Sequence, residues 1–114
     1  MTAVLNPVDV EASIRQCANR IHQGVTVVTN AEAAFRAADR AFDVAFAHAY
    51  MGHKGPAHEK KYAATIATEG EREARDVAEM AFKHADRTAR ALSEELRSWQ
   101  SIGASVRAMY GAQS

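Results

Sequence analysis

A single segment interrupts an otherwise helix-forming chain. Residues 52–56 read GHKGP, so two glycines and one proline fall within five positions, and such residues end helices and restart them. Alanine, the strongest helix former, supplies 25 of the 114 residues. The β-branched run VTVV at 25–28 has no strand partner elsewhere in the sequence. The chain is therefore predicted to be all-α and to reverse direction at 52–56.

The arms on the two sides of this turn have similar lengths. A helix of about 50 residues that carries an apolar stripe needs other helices to cover that stripe. We therefore predict an elongated antiparallel helical hairpin with a broken first arm, or a three-helix bundle with one long C-terminal helix. Within a single domain 1–114, the predicted elements are helix 8–23, linker 24–30, helix 31–51, turn 52–56 and long helix 57–110.

Local signals set the boundaries in the first arm. Asn6 is a predicted N-cap, with Pro7 at the first helical position. Gly24 is a predicted C-terminal stop, and the β-branched run at 25–28 favours an extended connector. Thr29 opens the capping-box sequence TNAE, which predicts the start of a second helix.

The predicted long helix carries one stripe of small and apolar residues. The first half of the stripe is nearly all alanine and glycine, which lets two helix axes approach closely, and the second half is bulkier. Gly70 and Gly103 are the predicted points of bending or early ending. The stripe comprises Ala63, Ala67, Gly70, Ala74, Ala78, Ala81, Ala85, Ala89, Leu92, Leu96, Trp99, Gly103, Val106 and Tyr110.

Charge and core size indicate the kind of partner. The chain has 14 basic and 14 acidic side chains, and this balance removes the simplest electrostatic argument for nucleic acid or an anionic membrane. Large apolar side chains are few, so the core is thin, and small domains with thin cores often need a partner surface. We expect a homo-oligomer or a complex with a partner protein.

The turn is the first candidate for a contact surface. Cations in the first turn of a helix oppose the helix dipole, so turn formation does not explain them. Free N–H groups at a helix start, with lysines beside them, suit an anion. The alternative to a plain solvated turn is therefore a phosphate or nucleic-acid contact, with two C-terminal arginines as a second basic group. The candidate contacts are Lys54, His58, Lys60, Lys61, Arg97 and Arg107.

Four aromatic side chains form a predicted interaction surface. Tyr50 and Tyr62 flank the turn and offer stacking surfaces for a base. Trp99 and Tyr110 lie in the apolar stripe of the long helix, where packing is the default interpretation. A solvent-facing Trp99 would instead mark a binding hot spot.

No motif predicts catalysis, a cofactor or a metal. GHKGP is not a P-loop, because no strand precedes it and the motif's spacing is absent. His48, His53 and His58 stand five residues apart, which does not place them on one helix face. The lone Cys17 lies on an apolar helix face and is predicted to be a buried, inert thiol. We therefore predict a non-enzymatic protein without cofactors.

Two segments carry a resemblance to a phage family. Residues 50–55 read Y-x-G-x-x-G, and residues 99–111 read WQSIGASVRAMYG after a helix rich in alanine, glutamate and arginine. Together they resemble small alanine-rich helical proteins of tailed actinobacterial bacteriophages, which are encoded near recombination and replication genes. The resemblance covers residues 30–111. It implies an accessory protein of DNA recombination or replication machinery in the cytoplasm of a bacterial host.

The chain also resembles the secreted W-x-G helical hairpins in length and central turn. Its triplet is Tyr50-Met51-Gly52, so the tryptophan is missing, and no acidic residue follows Tyr62 or Tyr110 at the spacing of that family's C-terminal signal. The N-terminus has no basic region ahead of an apolar run, and no segment has the length of a membrane span. We expect a soluble cytoplasmic protein that does not contact membranes.

Overall fold

The computed structural model describes residues 5–111, and these are helical almost throughout. Helix α1 spans Pro7–Gly52, a 3-10 turn spans Ala57–Glu59, α2 spans Lys60–Ala67 and α3 spans Glu69–Gly111. No strand occurs in residues 5–111. The all-α prediction is confirmed. Residues 1–4 and 112–114 of the predicted domain lie outside the described residues.

The start of α1 is capped as predicted. The backbone N–H of Asp9 donates to Oδ1 of Asn6 at 2.9 Å, and the side-chain amide of Asn6 donates to Oδ2 of Asp9, also at 2.9 Å. One donor that a helix start leaves unpaired is thereby satisfied. Pro7, which lacks an N–H, is the first helical residue.

Helix α1 continues through the segment 24–30, where a linker was predicted. The helix has 46 residues without interruption, so the linker, the new start at Thr29 and the broken first arm are wrong. Valine and threonine each cost less than about 0.7 kcal/mol in a helix, and glycine costs about 1 kcal/mol. A break would instead leave several backbone N–H and C=O groups without helical partners. The local propensity is therefore too weak to stop the helix.

Packing divides the chain into two units. Unit 1 joins the residues up to Val27 with those from Asp86 onward, and unit 2 is Val28–Ala85. Helices α1 and α3 each contribute to both units. The division in α1 falls inside the segment 24–30, although the helix does not break there.

The core of unit 1 consists of buried side chains, most of them aliphatic. Val10, Cys17, Leu92 and Val106 are each at most 7% exposed. The Cys17 thiol donates to the carbonyl of Leu92 at 3.2 Å, which confirms its predicted burial. A Cβ on Gly103 would lie 3.2 Å from Cγ1 of Val10, so this glycine permits a close helix approach. Since 10 lies beside 103 and 17 beside 92, the two segments are antiparallel.

Unit 2 is built on aromatic rings and arginine. Phe35 stacks on Phe82 with ring centroids 6.1 Å apart. The guanidinium of Arg75 lies 4.5 Å from the centroid of Phe42 and 3.9 Å from Oδ1 of Asp39. These five side chains are half-buried. The pairs 35–82 and 39–75 show that these segments are antiparallel as well, as the hairpin prediction requires.

The second arm is not one long α-helix. Thr68 separates α2 from α3, with φ −114° and ψ 23°. Its hydroxyl donates to the carbonyl of Ala64 at 2.7 Å, and its N–H donates to the same carbonyl at 3.1 Å. Hydroxyl bonding of this kind bends helices. Gly70 and Gly103 both lie inside α3, so neither ends the helix, and the interruption falls at Thr68 instead.

The prediction that the stripe faces inward is correct for most of unit 1 and wrong for much of unit 2. In unit 1 its members from Ala89 to Val106 are buried or half-buried, and Tyr110 is exposed. In unit 2 the inward face passes through Arg75 and Phe82 instead, because the stacked phenylalanines bury more apolar surface than alanine does. The exposed members of the predicted stripe there are Ala67, Gly70, Ala74 and Ala81.

Candidate interaction surface

The turn between α1 and the 3-10 segment is tight because side chains fold over Gly55. A Cβ at Gly55 would collide with the ring of His53 and lie 2.9 Å from Oε2 of Glu59. Nε2 of His53 lies 3.5 Å from that carboxylate oxygen, too far for a hydrogen bond, so the contact is an ion pair only when the ring is protonated. No glycine in residues 5–111 has positive φ, so α1 ends at Gly52 without a left-handed residue.

A row of aromatic rings on α1 leads to the turn. Phe42, Phe46 and Tyr50 follow each other with centroid separations of 6.0 Å and 6.3 Å. Cations cover both ends of the row, because Arg75 lies over Phe42 and Nζ of Lys60 lies 5.8 Å from the centroid of Tyr50. The row stabilises the end of unit 2 next to the turn and fixes the position of Tyr50.

Four large apolar side chains near the turn are exposed. Met51 is 81% exposed, Tyr62 and Ile66 are each 70% exposed, and Tyr50 is 40% exposed. We call these four residues the turn surface. Tyr62 and Ile66 stand four residues apart and share one side of α2, and Tyr50 and Met51 are the last two large side chains of α1. Tyr50 and Tyr62 were predicted as interaction residues, whereas Met51 and Ile66 were not.

The predicted anion contacts at the turn have different environments. Lys54, His58 and Lys61 are exposed. Lys60 is half-buried, and its ammonium is directed at the Tyr50 ring. Lys60 therefore contributes to the packing of the turn, and the remaining three cations face solvent beside the turn surface.

The predicted C-terminal contacts belong to unit 1. Arg97 and Arg107 are exposed, Tyr110 is 45% exposed and Trp99 is half-buried. Arg97 borders a depression of about 370 Å³ on α3, whose lining includes Glu94. A carboxylate beside the guanidinium disfavours an anionic ligand there. The turn residues fall in unit 2, so the two basic groups do not form a common site within either unit.

Neither a metal cluster nor a membrane span occurs in residues 5–111. Within residues 5–111 no three histidine, cysteine or carboxylate side chains stand close enough to hold a metal ion. None of the helices in that range has an apolar run long enough to cross a bilayer.

Comparisons with protein-family models, with curated proteins and with solved structures gave no match. The resemblance to phage proteins therefore stays a prediction from residues 50–55 and 99–111.

Proposed function

We propose that this protein is a non-enzymatic helical interaction protein that binds a partner protein through the turn surface. The observation that carries the proposal is the exposure of Met51, Tyr62 and Ile66, each at least 70%, at one end of unit 2. Tyrosine and large apolar side chains dominate the energetics of protein interfaces. The row from Phe42 to Tyr50 holds one edge of this surface in place, which lowers the entropy cost of binding.

The proposed setting is the DNA recombination or replication machinery of a phage-infected bacterial cell. The support is the resemblance of the segments 50–55 and 99–111 to phage accessory proteins. In this setting the chain acts on a protein of that machinery, and Lys54 and Lys61 add a cationic rim to the apolar contact. Rim charges of this kind raise the association rate more than the affinity.

Affinity capture with matched variants tests this function. Tyr62→Ala combined with Ile66→Ala removes two exposed side chains from α2, and Val25→Ala, at a residue 60% exposed in unit 1, is the control. We expect the tagged wild-type chain and the control to retain the same partner from infected cells, and the double variant to lose it. Equal retention by the double variant contradicts a role for the turn surface.

The second candidate function is direct binding of single-stranded nucleic acid at the turn. It is favoured by the exposure of Tyr62, which offers a ring for base stacking, beside the exposed Lys61. Affinity would fall with salt by about 0.7 powers of concentration per phosphate contacted.

A mobility shift at low salt tests the second candidate. We expect Lys54→Glu with Lys61→Glu to abolish the shift and Arg107→Ala, on the other basic group, to leave it unchanged. A wild-type chain that shifts neither single- nor double-stranded DNA at tens of micromolar excludes direct binding.

A further inference from the structure

Charge is unevenly distributed along unit 2. Residues 44–68, the end that carries the turn surface, contain three lysines and a single carboxylate. The remaining residues of the unit, 28–43 and 69–85, contain five basic and eight acidic side chains. The turn end of unit 2 is therefore cationic, whereas the rest of the unit is anionic.

The carboxylate at the turn end does not neutralise the exposed lysines. Oε2 of Glu59 lies 3.5 Å from Nε2 of His53, within the tight turn itself. Lys54 and Lys61, which we call the turn lysines, are exposed, and within residues 5–111 neither of them forms an ion pair. Two positive charges are therefore uncompensated beside the turn surface.

Two other exposed cations of unit 2 have a carboxylate on their own helix. Arg36 pairs with Glu32 at 3.3 Å, and Lys83 pairs with Glu79 at 3.4 Å, each acid standing four residues before its base. The positions four residues before the turn lysines carry no acid. The charge of the turn lysines is therefore available to a partner, whereas the charges of Arg36 and Lys83 are already compensated.

Both turn lysines adjoin the turn surface. Lys61 is the residue before Tyr62 on α2, and Lys54 follows Met51 by three residues, which span at most about 11 Å of extended chain. The first charged residue after α2 is Glu69, which is exposed. Uncompensated positive charge therefore borders the turn surface on the side of the turn, and negative charge borders it on the side of α3.

We propose that the partner protein binds the turn surface through an acidic segment. Large apolar side chains of that segment contact the turn surface, and its carboxylates pair with Lys54 and Lys61. The carboxylates lie on one side of the apolar residues, because Glu69 would repel them on the other. This inference rests on the proposed function and deepens it, since it specifies the chemistry of the partner.

A nucleic acid matches this surface less well than an acidic protein segment does. Met51 and Ile66 offer aliphatic surface, whereas bases stack on aromatic rings. Proteins that bind nucleic acid without sequence preference derive their affinity from many phosphate contacts, and the turn end offers only two uncompensated lysines. An acidic protein segment uses both the aliphatic surface and the two charges.

Selection from a library of random displayed peptides tests the chemistry of the partner. The full-length chain is the target, and the variant with Tyr62→Ala and Ile66→Ala is used to discard peptides that bind elsewhere. The enriched peptides are expected to carry a net negative charge and at least one large apolar side chain, because the surface presents lysines beside apolar groups. Circular dichroism checks that each variant stays helical.

Charge reversal then tests the turn lysines with the most enriched peptide. Lys54→Glu with Lys61→Glu is expected to weaken its binding at least ~10-fold in about 0.15 M NaCl, measured by fluorescence anisotropy. The matched control is Arg15→Glu with Arg87→Glu, which changes the net charge equally at two exposed arginines of unit 1. The control should bind the peptide like the wild type, and equal weakening by both variants overturns the pairing with the turn lysines.

The outcomes separate this inference from the proposed function. Enriched peptides that depend on Tyr62 and Ile66 but are neutral or basic overturn the acidic segment and leave the function standing. An oligo(dT) that binds more tightly than every enriched peptide overturns it in favour of nucleic acid. If no peptide depends on Tyr62 and Ile66, the acidic segment is overturned, and partner capture with the double variant decides the function independently.

Discussion

The two units use the same antiparallel helices but stabilise them differently. Unit 1 buries Val10, Cys17, Leu92 and Val106, and α3 approaches α1 closely at Gly103. Unit 2 stacks half-buried rings under arginine and leaves Val44, Val77 and several of its alanines exposed. The difference shows that one helix pair can bury its apolar side chains in one region and leave large apolar side chains exposed in the other.

The largest expected loss of stability comes from a cavity made in unit 1. Leu92→Ala removes a side chain that is 7% exposed and is expected to lower the free energy of unfolding by about 3 kcal/mol. Met80→Ala in unit 2, at a residue 72% exposed, is expected to change it by less than about 0.5 kcal/mol. Urea denaturation monitored by circular dichroism measures both. An equal loss of unfolding free energy in the two variants would refute the buried core of unit 1.

The aromatic stack of unit 2 is expected to contribute less. Phe82→Ala should cost about 2 kcal/mol, below the 3–5 kcal/mol of a fully buried phenylalanine, because the ring is half-buried. Phe35→Ala should cost about 1 kcal/mol less in this background than it costs alone, since the partner ring is already gone. A double-mutant cycle checks this coupling, and additive costs would contradict the stack.

The stability of the protein is expected to depend on the shape of the Arg75 guanidinium over Phe42 as well as on its charge. Arg75→Lys should cost about 0.5–1 kcal/mol, because an ammonium does not lie flat on a ring as the guanidinium does. Arg40→Lys, at an exposed residue of α1, is the control and should be neutral. Thermal unfolding compares the two variants, and a neutral Arg75→Lys would show that the ring contact is unimportant.

The smallest expected effect tests the continuity of α1. Gly24→Ala should stabilise the protein by about 0.5–1 kcal/mol, since a helix interior favours alanine and the added Cβ has no atom within 4 Å apart from its own stretch of helix. A destabilised variant would indicate that the helix ends at Gly24, as the linker prediction required.

The sequence predicts the helical class and the turn because those signals are local. Asn6 and Pro7 define the first cap, and the 52–56 segment defines the reversal. The linker prediction at 24–30 is wrong because β-branched residues are only weakly unfavourable in a helix. Whether the helix continues there is decided by packing between distant residues. The segment nevertheless coincides with the division between the units.

The candidate surface could be predicted only in part. Tyr50 and Tyr62 stand out beside the turn, but the exposure of Ile66 depends on the orientation of α2, which ends at Ala67. The sequence predicts that the alanine stripe of unit 2 faces inward, because small residues suit close packing. Which helix side faces inward is decided instead by the pairing of Phe35 with Phe82, a contact between distant residues.

Hydrogen exchange tests the contrast between the units most directly. Unit 1 buries Val10, Cys17, Leu92 and Val106, whereas the stacked rings of unit 2 are half-buried. The account predicts that amides of 31–48 and 69–85 exchange at least ~10-fold faster than those of 10–21 and 92–106. Equal protection of the two units, or stronger protection of unit 2, would contradict it.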